Sequence, residues 1–438
     1  MPSIMHDVMW YMLAPLQTFV AFTVIVEALQ STRPNVQSRR CLRKSAKQAD
    51  YPEMDARKCP HIDIILVAYL PNEKDIIVAQ ARYAAREINY PKQKYTVNVV
   101  YNTPHAIEPV QSELEQLAAE NEHVRIVNVP GSKSKADNIN FFLTLRSSGS
   151  IITVLDTDHF LEPNALRWVA QRFMADEVDI VQGRCCIYNT SETWVTRLLG
   201  AEFDTIYGVF HPGRATLHGY GLFGGSNGHW SASLLRSLRM DGAMLTEDID
   251  SSVRAIRSGA RIAYDLRVIS YEQAPTNFRA FWKQRMRWAQ GWFQVTLQHT
   301  LGTLRSGAHG SYWRSRIGLF FLLAFREAYF HVVLQLCCFL LSSLVTAPPS
   351  SWSQLYRDLT GFRASIWMLA FNLSCLALVT GISMRNRSTF VRPSQCLVFG
   401  LAGPVYFTLI ALMAVFGHFR QLAGYSQWNV TVRRQKKP

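Results

Sequence analysis

The chain has no CxxC pair. Its eight cysteines, Cys41, Cys59, Cys185, Cys186, Cys337, Cys338, Cys375 and Cys396, include two adjacent pairs but no spacing typical of a zinc site or a disulfide framework. A reducing compartment for the main domain follows, with the last four cysteines acting as small apolar residues in hydrophobic segments. Charge is also scarce: Asp, Glu, Lys and Arg make up 18% against 48% hydrophobic residues, which is poor for a freely soluble enzyme. What charge there is leans positive, with 46 Lys and Arg against 32 Asp and Glu and a net charge of +14. No zinc finger or aromatic recognition motif accompanies that surplus, so no nucleic-acid partner is expected. The cations instead gather beside apolar runs. Arg33, Arg39, Arg40, Arg43, Lys44 and Lys47 follow the first, and Arg433, Arg434, Lys436 and Lys437 end the chain, as juxtamembrane anchors do. The first run, Val8 to Val26, lacks a basic segment before it and a small-residue cleavage site after it, which argues against a cleaved signal peptide.

That run is long enough to cross a bilayer as a helix, and the basic cluster behind it places its C-terminal end in the cytosol. The alternative is a buried helix of a soluble domain. After a polar, basic stretch at 31–60 an α/β pattern begins. His61 to Tyr69, Tyr95 to Tyr101, Val124 to Val129 and Ile151 to Leu155 read as strands; Asp75 to Ile88, Val110 to Glu120 and Ala136 to Leu145 read as helices. This alternation predicts a parallel, doubly wound sheet with ligands at the carboxyl ends of its strands. Three such ends carry polar residues: Asn72 with Glu73, Asn102, and Asp156-Thr157-Asp158.

Asn277 to Gln294 mixes Phe278, Phe281, Trp282, Trp288, Trp292 and Phe293 with Arg279, Lys283, Arg285 and Arg287. A helix of that composition prefers a membrane interface, with its rings at headgroup depth. Beyond it, Arg316 to Val345, Ile366 to Met384 and Cys396 to Phe416 are apolar runs of spanning length. Arg385, Arg387 and Arg392 in the last connecting loop point to a cytosolic side. Three spans after a cytosolic domain would then leave the basic tail outside, unless Gly403-Pro404 breaks a segment or the Arg326 region is not a single span. Asn429, in N-V-T, is a glycosylation acceptor only if the tail is outside.

Asp156 and Asp158 form a DxD at the end of a buried strand. Two carboxylates there can share one crevice and hold a hard divalent cation against phosphate oxygens; taken alone, so short a pattern more often marks a solvated strand end. Thr246-Glu247-Asp248 opens a helix, where acids in the first turn are favourable whatever their function; the functional alternative makes Asp248 a general base. Gln284, Arg287 and Trp288 lie at i, i+3 and i+4 and share a helical face. They could hold a sugar and a diphosphate, or anchor the helix among lipid headgroups.

Taken in order, the NE-bearing strand end, DxD, TED and QxxRW followed by apolar spans resemble the processive, membrane-integrated family 2 glycosyltransferases of the cellulose synthase, chitin synthase and hyaluronan synthase type. The resemblance covers roughly residues 60–300 by motif and nearly the whole chain by layout. It implies a GT-A type, Rossmann-like catalytic domain joined to an α-helical transmembrane region by amphipathic interface helices. The corresponding layout is a transmembrane helix at 1–30, a basic cytosolic connector at 31–60, a catalytic domain at 61–276, interface helices at 277–315, transmembrane helices at 316–420 and a basic tail at 421–438.

The resemblance further implies that Asp156 and Asp158 bind the nucleotide diphosphate and a Mg²⁺ or Mn²⁺ ion, and that Asp248 is the base, with Glu247 beside the substrate. Gln284, Arg287 and Trp288 would contact the diphosphate and the acceptor end, Lys135 in SKADNIN would lie near the nucleotide, and Glu73 near its base. Phe223 to His229 would form the acceptor loop. The chain departs from the family where Asn102 replaces an aspartate expected to contact uridine, and where the GSNGHW loop lacks a common arginine. No PilZ-like regulatory domain is expected after the spans. The implied activity is inverting polymerisation of sugar from a UDP-sugar onto a growing polysaccharide, with export across the plasma membrane from a cytosolic active site. A transferase adding one sugar to a lipid is the alternative.

Overall fold

The first strands form where the sequence is mainly apolar without strict alternation, because strands covered by helices on both faces have no wet side to alternate toward. The computed structural model describes residues 3–48, 51–305, 313–346, 348–360 and 363–425; the end of the tail, with Asn429 and its basic residues, lies outside the described residues. Helix α1 (Ser3–Gln30) leads after one residue into α2 (Thr32–Gln48), so a helix occupies much of the stretch read as a polar connector. The α/β region follows as β1 (Ile62–Tyr69), α3 (Leu70–Glu73), α4 (Ile77–Arg86), β2 (Tyr95–Asn102), α5 (Val110–Glu120), β3 (Val124–Asn128), α6 (Lys135–Thr144) and β4 (Ile151–Asp156). These match the sequence expectation to within a residue or two at most ends. Then come β5 (Phe160–Leu161), α7 (Ala165–Ala175), β6 (Ile180–Ile187), α8 (Trp194–Thr205), a π-helical turn, α9 (His211–His218), β7 (Gly228–Ser231), α10 (Ala232–Leu238), α11 (Glu247–Arg257) and β8 (Ile262–Glu272). The C-terminal helices are α12 (Phe278–Arg305), α13 (Trp313–Thr346), α14 (Trp352–Thr360), α15 (Arg363–Asn386) and α16 (Pro393–Leu422).

The sheet has eight strands in the order β3-β2-β1-β4-β7-β6-β8-β5. Its first half is parallel, as the alternation predicts. The whole is mixed, which corrects the all-parallel expectation: β7 runs antiparallel to both β4 and β6, and β5 runs antiparallel to β8. The reason is local. β7 is only GHWS, too short to show a hydrophobic period, and the turn before it depends on Gly225 and Asn227 at positive φ.

Each face of the sheet has its own core. Ile62, Ile64, Leu66, Val97 and Val99 pack with helix residues such as Ala81, Leu114 and Leu166. Ile65, Val67, Ile152 and Val154 pack with Ile139, Leu235 and Val253, and this second core continues into Val295, Leu319 and Leu323 of the C-terminal helices. A third cluster joins Cys185, Val195 and Leu199 to Phe281, Cys396 and Tyr406. The loop between α15 and α16 rests on the α/β region: Arg184 donates to the Asn386 carbonyl at 2.7 Å, and Asp204 accepts from the Ser388 N–H at 2.8 Å. Two described helical segments, Trp313–Leu334 and Pro393–Leu422, are long and apolar enough to cross a membrane. Arg326 and Glu327, both inside the first, pair with each other at 2.5 Å, and Glu327 also takes His418 of the second at 2.5 Å. The six described cysteines are free thiols.

Candidate active site

Strand β4 delivers Asp156 to the carboxyl end of the sheet. Its N–H donates to Ser226 Oγ at 3.1 Å, and its carboxylate takes Lys135 Nζ at 2.5 Å. Lys135 is the first residue of α6, whose N-terminus is capped by Ser134 accepting from the Asp137 N–H at 3.0 Å. The same ammonium donates to the Gly225 carbonyl at 2.6 Å, so Lys135 ties the DxD to the glycine loop. Burial acts to lower the Lys135 pKa, but the carboxylates of Asp156, Glu247 and Asp248 outweigh it and raise the value above the ordinary one.

Asp158 is buried, and the Gln273 N–H reaches its Oδ2 at 3.4 Å. Potential ligand atoms of Asp156, Asp158 and His159 all lie within 4.8 Å of one another. Two carboxylates this close, at the rim of a sheet, fit a hard divalent cation that completes its coordination with phosphate and water. The residues present therefore suit Mg²⁺ or Mn²⁺.

Helix α11 brings Glu247 and Asp248 to the same place. A Cβ on Gly225 would lie 2.9 Å from Asp248 Oδ2 and would push this carboxylate aside; the φ of +91° favours glycine as well. Burial, followed by the neighbouring charge of Glu247, raises the Asp248 pKa to about 7; Lys135, the Ile249 N–H and Arg287 offset part of that rise. Arg287 of α12 faces this cluster: it donates weakly to the Leu245 carbonyl at 3.5 Å and sits in the field of Glu247, Asp248 and Asp156. Trp288 lies under the Arg285 guanidinium at 4.6 Å and against Phe203 of α8. Gln284, one turn earlier, is half-buried.

The strand ends expected near the nucleotide base are braced internally. Glu73 accepts from the Tyr69 N–H at 2.7 Å. Asn102 donates to the Ser132 carbonyl at 3.0 Å and accepts from Asn138 Nδ2 at 2.9 Å. Behind the glycine loop, Gln182 accepts from the Gly224 N–H and donates to the Ser226 carbonyl, both at 3.1 Å.

Some residues that shape the site were not singled out by the sequence. Gln294 accepts from the Leu245 N–H and donates to the Ala243 carbonyl, each at 3.0 Å, holding the loop before Glu247. Gly291 lets that loop approach, since a Cβ there would be 2.5 Å from Thr246 Cγ2. The signal was present: Gln284, Arg287, Gly291 and Gln294 form a polar and small stripe at helical spacing in an otherwise aromatic helix. Arg285, read as an interface cation, is instead buried in an ion pair with Glu202.

This arrangement of a mixed α/β sheet with carboxylates at the strand ends is a GT-A-like glycosyltransferase fold. A solved structure of this kind is the mannosyltransferase of Pyrobaculum calidifontis in complex with GDP-Man and Mn²⁺. The two superpose with a TM-score of 0.52 at 15% identity, covering 93% of this chain and 99% of that one. The profile of glycosyl transferase family group 2 matches residues 151–417, more than half of the chain, and the chain belongs to that family. Among curated relatives, a probable glucomannan 4-beta-mannosyltransferase of Oryza sativa subsp. japonica is 24% identical over 358 residues, 80% of this chain and 58% of the relative. A beta-monoglucosyldiacylglycerol synthase of Trichormus variabilis is 27% identical over 264 residues, 58% of this chain and 53% of the relative. The chain thus spans a little over half the length of these two relatives.

Proposed function

We propose that the protein is a membrane-bound inverting glycosyltransferase that takes sugar from a nucleoside diphosphate donor, UDP-linked in our reading, and extends a β-linked polysaccharide that it passes across the bilayer. The observation that carries this reading is the convergence of Lys135, Asp156, Glu247, Asp248 and Arg287 at one end of the sheet. Asp248 would accept the proton of the acceptor hydroxyl as that oxygen attacks the anomeric carbon; a proton affinity near neutral suits a base working at physiological pH. Lys135 and Arg287 would stabilise the departing diphosphate, as preorganised cations do best in a site shielded from water. Asp156 and Asp158 would hold Mg²⁺ or Mn²⁺, which when bound neutralises charge on the diphosphate. Gln284 and Trp288 would meet the acceptor, and Glu73 and Asn102 would border the nucleotide base. Membrane residence is supported by the two long apolar helices and by the buried charges within them, since ionisable groups at such depth are paired or line a polar path.

A second reading, transfer of a single sugar to a lipid acceptor, is favoured by the similarity to the diacylglycerol glucosyltransferring relative. One experiment separates the two. The protein in nanodiscs is given a panel of UDP-sugars and GDP-Man with Mg²⁺ or Mn²⁺, and nucleotide release is followed together with product size, with Asp248→Asn in parallel. A high-mass product lost in the variant supports the polymer synthase; a small, lipid-extractable product supports the alternative. Absence of nucleotide release with every donor refutes both.

A further inference from the structure

The DxD belongs to an unusual connection. It joins β4, in the middle of the sheet, to β5, at its far edge, through Thr157, Asp158 and His159 alone. Four strand spacings of about 4.8 Å exceed the reach of so few residues, so the sheet curls and the turn straps across the carboxyl ends of β6 and β8. Its free-standing pairing is slight: β5 contributes only Phe160 and Leu161 against β8.

His159 lies under the strap and is 3% exposed. Its Nε2 meets Glu272 Oε2 at 3.2 Å and its Nδ1 meets Ser270 Oγ at 3.3 Å, both on β8. Ser270 Oγ also contacts Cys185 Sγ of β6 at 3.6 Å, so the ring is tied to both neighbouring strands. Both ring nitrogens are therefore already engaged by partners on β8, which turns the imidazole away from the cation site. The adjacent backbone is fastened at the same point: the Gln273 N–H reaches Asp158 Oδ2, and Gln80 Nε2 donates to the His159 carbonyl. Two residues of β8 thus hold the histidine, and the residue that follows the strand holds the carboxylate beside it.

We propose that the His159–Glu272 pair is a positioning device that fixes Asp158 for the divalent cation, and that His159, despite its closeness to both DxD carboxylates, is not a ligand. This rests on the reading that Asp156 and Asp158 hold the cation. The energetic logic is preorganisation: a carboxylate already locked in its binding geometry loses little freedom when the ion arrives, and partners that orient such ligands are commonly worth about 10–100-fold in metal affinity. The pair is nearly sealed from water, with side-chain exposures of 4% and 14%, so removing one member leaves the other a buried polar group without its partner.

The test is Mn²⁺ binding to the full chain in nanodiscs, read by electron paramagnetic resonance without donor, so that catalysis is not involved. Glu272→Gln and His159→Gln are expected to weaken Mn²⁺ binding about 10–100-fold. The double variant, a neutral amide pair, is expected to recover part of the loss. Spin-echo modulation on the wild-type Mn²⁺ complex is expected to show no directly bound nitrogen, and this readout needs no variant to fold. Unchanged affinity in both single variants overturns the proposal, as does a bound-nitrogen signal that disappears in His159→Gln. Wild-type protein whose Mn²⁺ binding is absent, or is unaffected by Asp158→Asn, overturns the cation-site reading and this proposal with it.

Discussion

Replacing Asp248 with asparagine should abolish turnover and at the same time stabilise the fold. In the unfolded chain this carboxyl gives up its proton near 3.8, whereas the folded protein holds it to about 7. Below the lower value both states are protonated and the group contributes nothing. As pH rises between the two values the unfolded chain ionises first, so the native state loses ground. Above about 7 the cost is complete and constant. The gap corresponds to about 4 kcal/mol at ~1.4 kcal/mol per pKa unit. Because the carboxyl borders an open crevice, water relieves part of this, and we expect about 1–3 kcal/mol. Asparagine has nearly the same shape and no charge, so it removes the cost. The assay is thermal unfolding of wild type and Asp248→Asn in the same nanodiscs at pH 5 and pH 8. The variant should melt a few degrees higher at pH 8, with less than half that advantage at pH 5. Nucleotide release should fall by about 10²–10⁴-fold, and wild-type kcat/KM should rise with pH up to about 7 as the base deprotonates. A variant that melts at or below wild type at pH 8, or an advantage independent of pH, would refute the reasoning.

The other predictions test how the site is held. Lys135→Met removes the cation shared by Asp156 and the Gly225 carbonyl; it should cost about 1–3 kcal/mol in thermal stability and raise the donor KM at least about tenfold, as an initial-rate titration would show. Gly225→Ala places a methyl against Asp248 and forces a non-glycine residue to φ +91°; the protein should fold, about 1–2 kcal/mol less stable, with turnover reduced more than donor binding. Arg285→Ala, which strips a buried partner from Glu202, should cost about 3–5 kcal/mol, whereas Lys283→Ala at an exposed position should change the melting temperature little. Equal effects of these two substitutions would restore the view that both cations serve only the lipid surface.

α12 shows how one segment can meet several demands at once. Its aromatic residues reach α16, with Phe281 stacked on Tyr406 and Phe293 on His418. Its polar stripe faces the loop before Asp248, and its one fully committed cation, Arg285, enters the core. The composition that marked it as an interface helix is thus divided among a helix–helix contact, a site wall and a buried ion pair.

The sequence by itself determined the first four strands with their helices, and the family. Mainly apolar runs without a polar alternation gave β1, β2 and β4 because both faces of those strands are covered, with the buried Asp63 and Asn98 satisfied by backbone partners. The acids at the end of β4 and the start of α11 were legible because strand ends and helix first turns are where charged side chains can emerge from a packed domain. The motif order carried the enzyme class. Only the tertiary structure decided how those parts are used. Nothing near residue 135 announces that its ammonium will be shared between Asp156 and Gly225, 21 and 90 positions away. Nor does α12 alone tell which of its arginines turns inward. Likewise, His159 reads as a polar neighbour of the DxD until β8, more than a hundred residues later, supplies Glu272 and Gln273. The strand order made these contacts: a four-residue antiparallel strand inserted between β4 and β6, and a short turn crossing to the far edge, follow from the packing of the whole sheet. Periodicity reports what each segment buries, and partner identity is set by where distant segments are brought to lie.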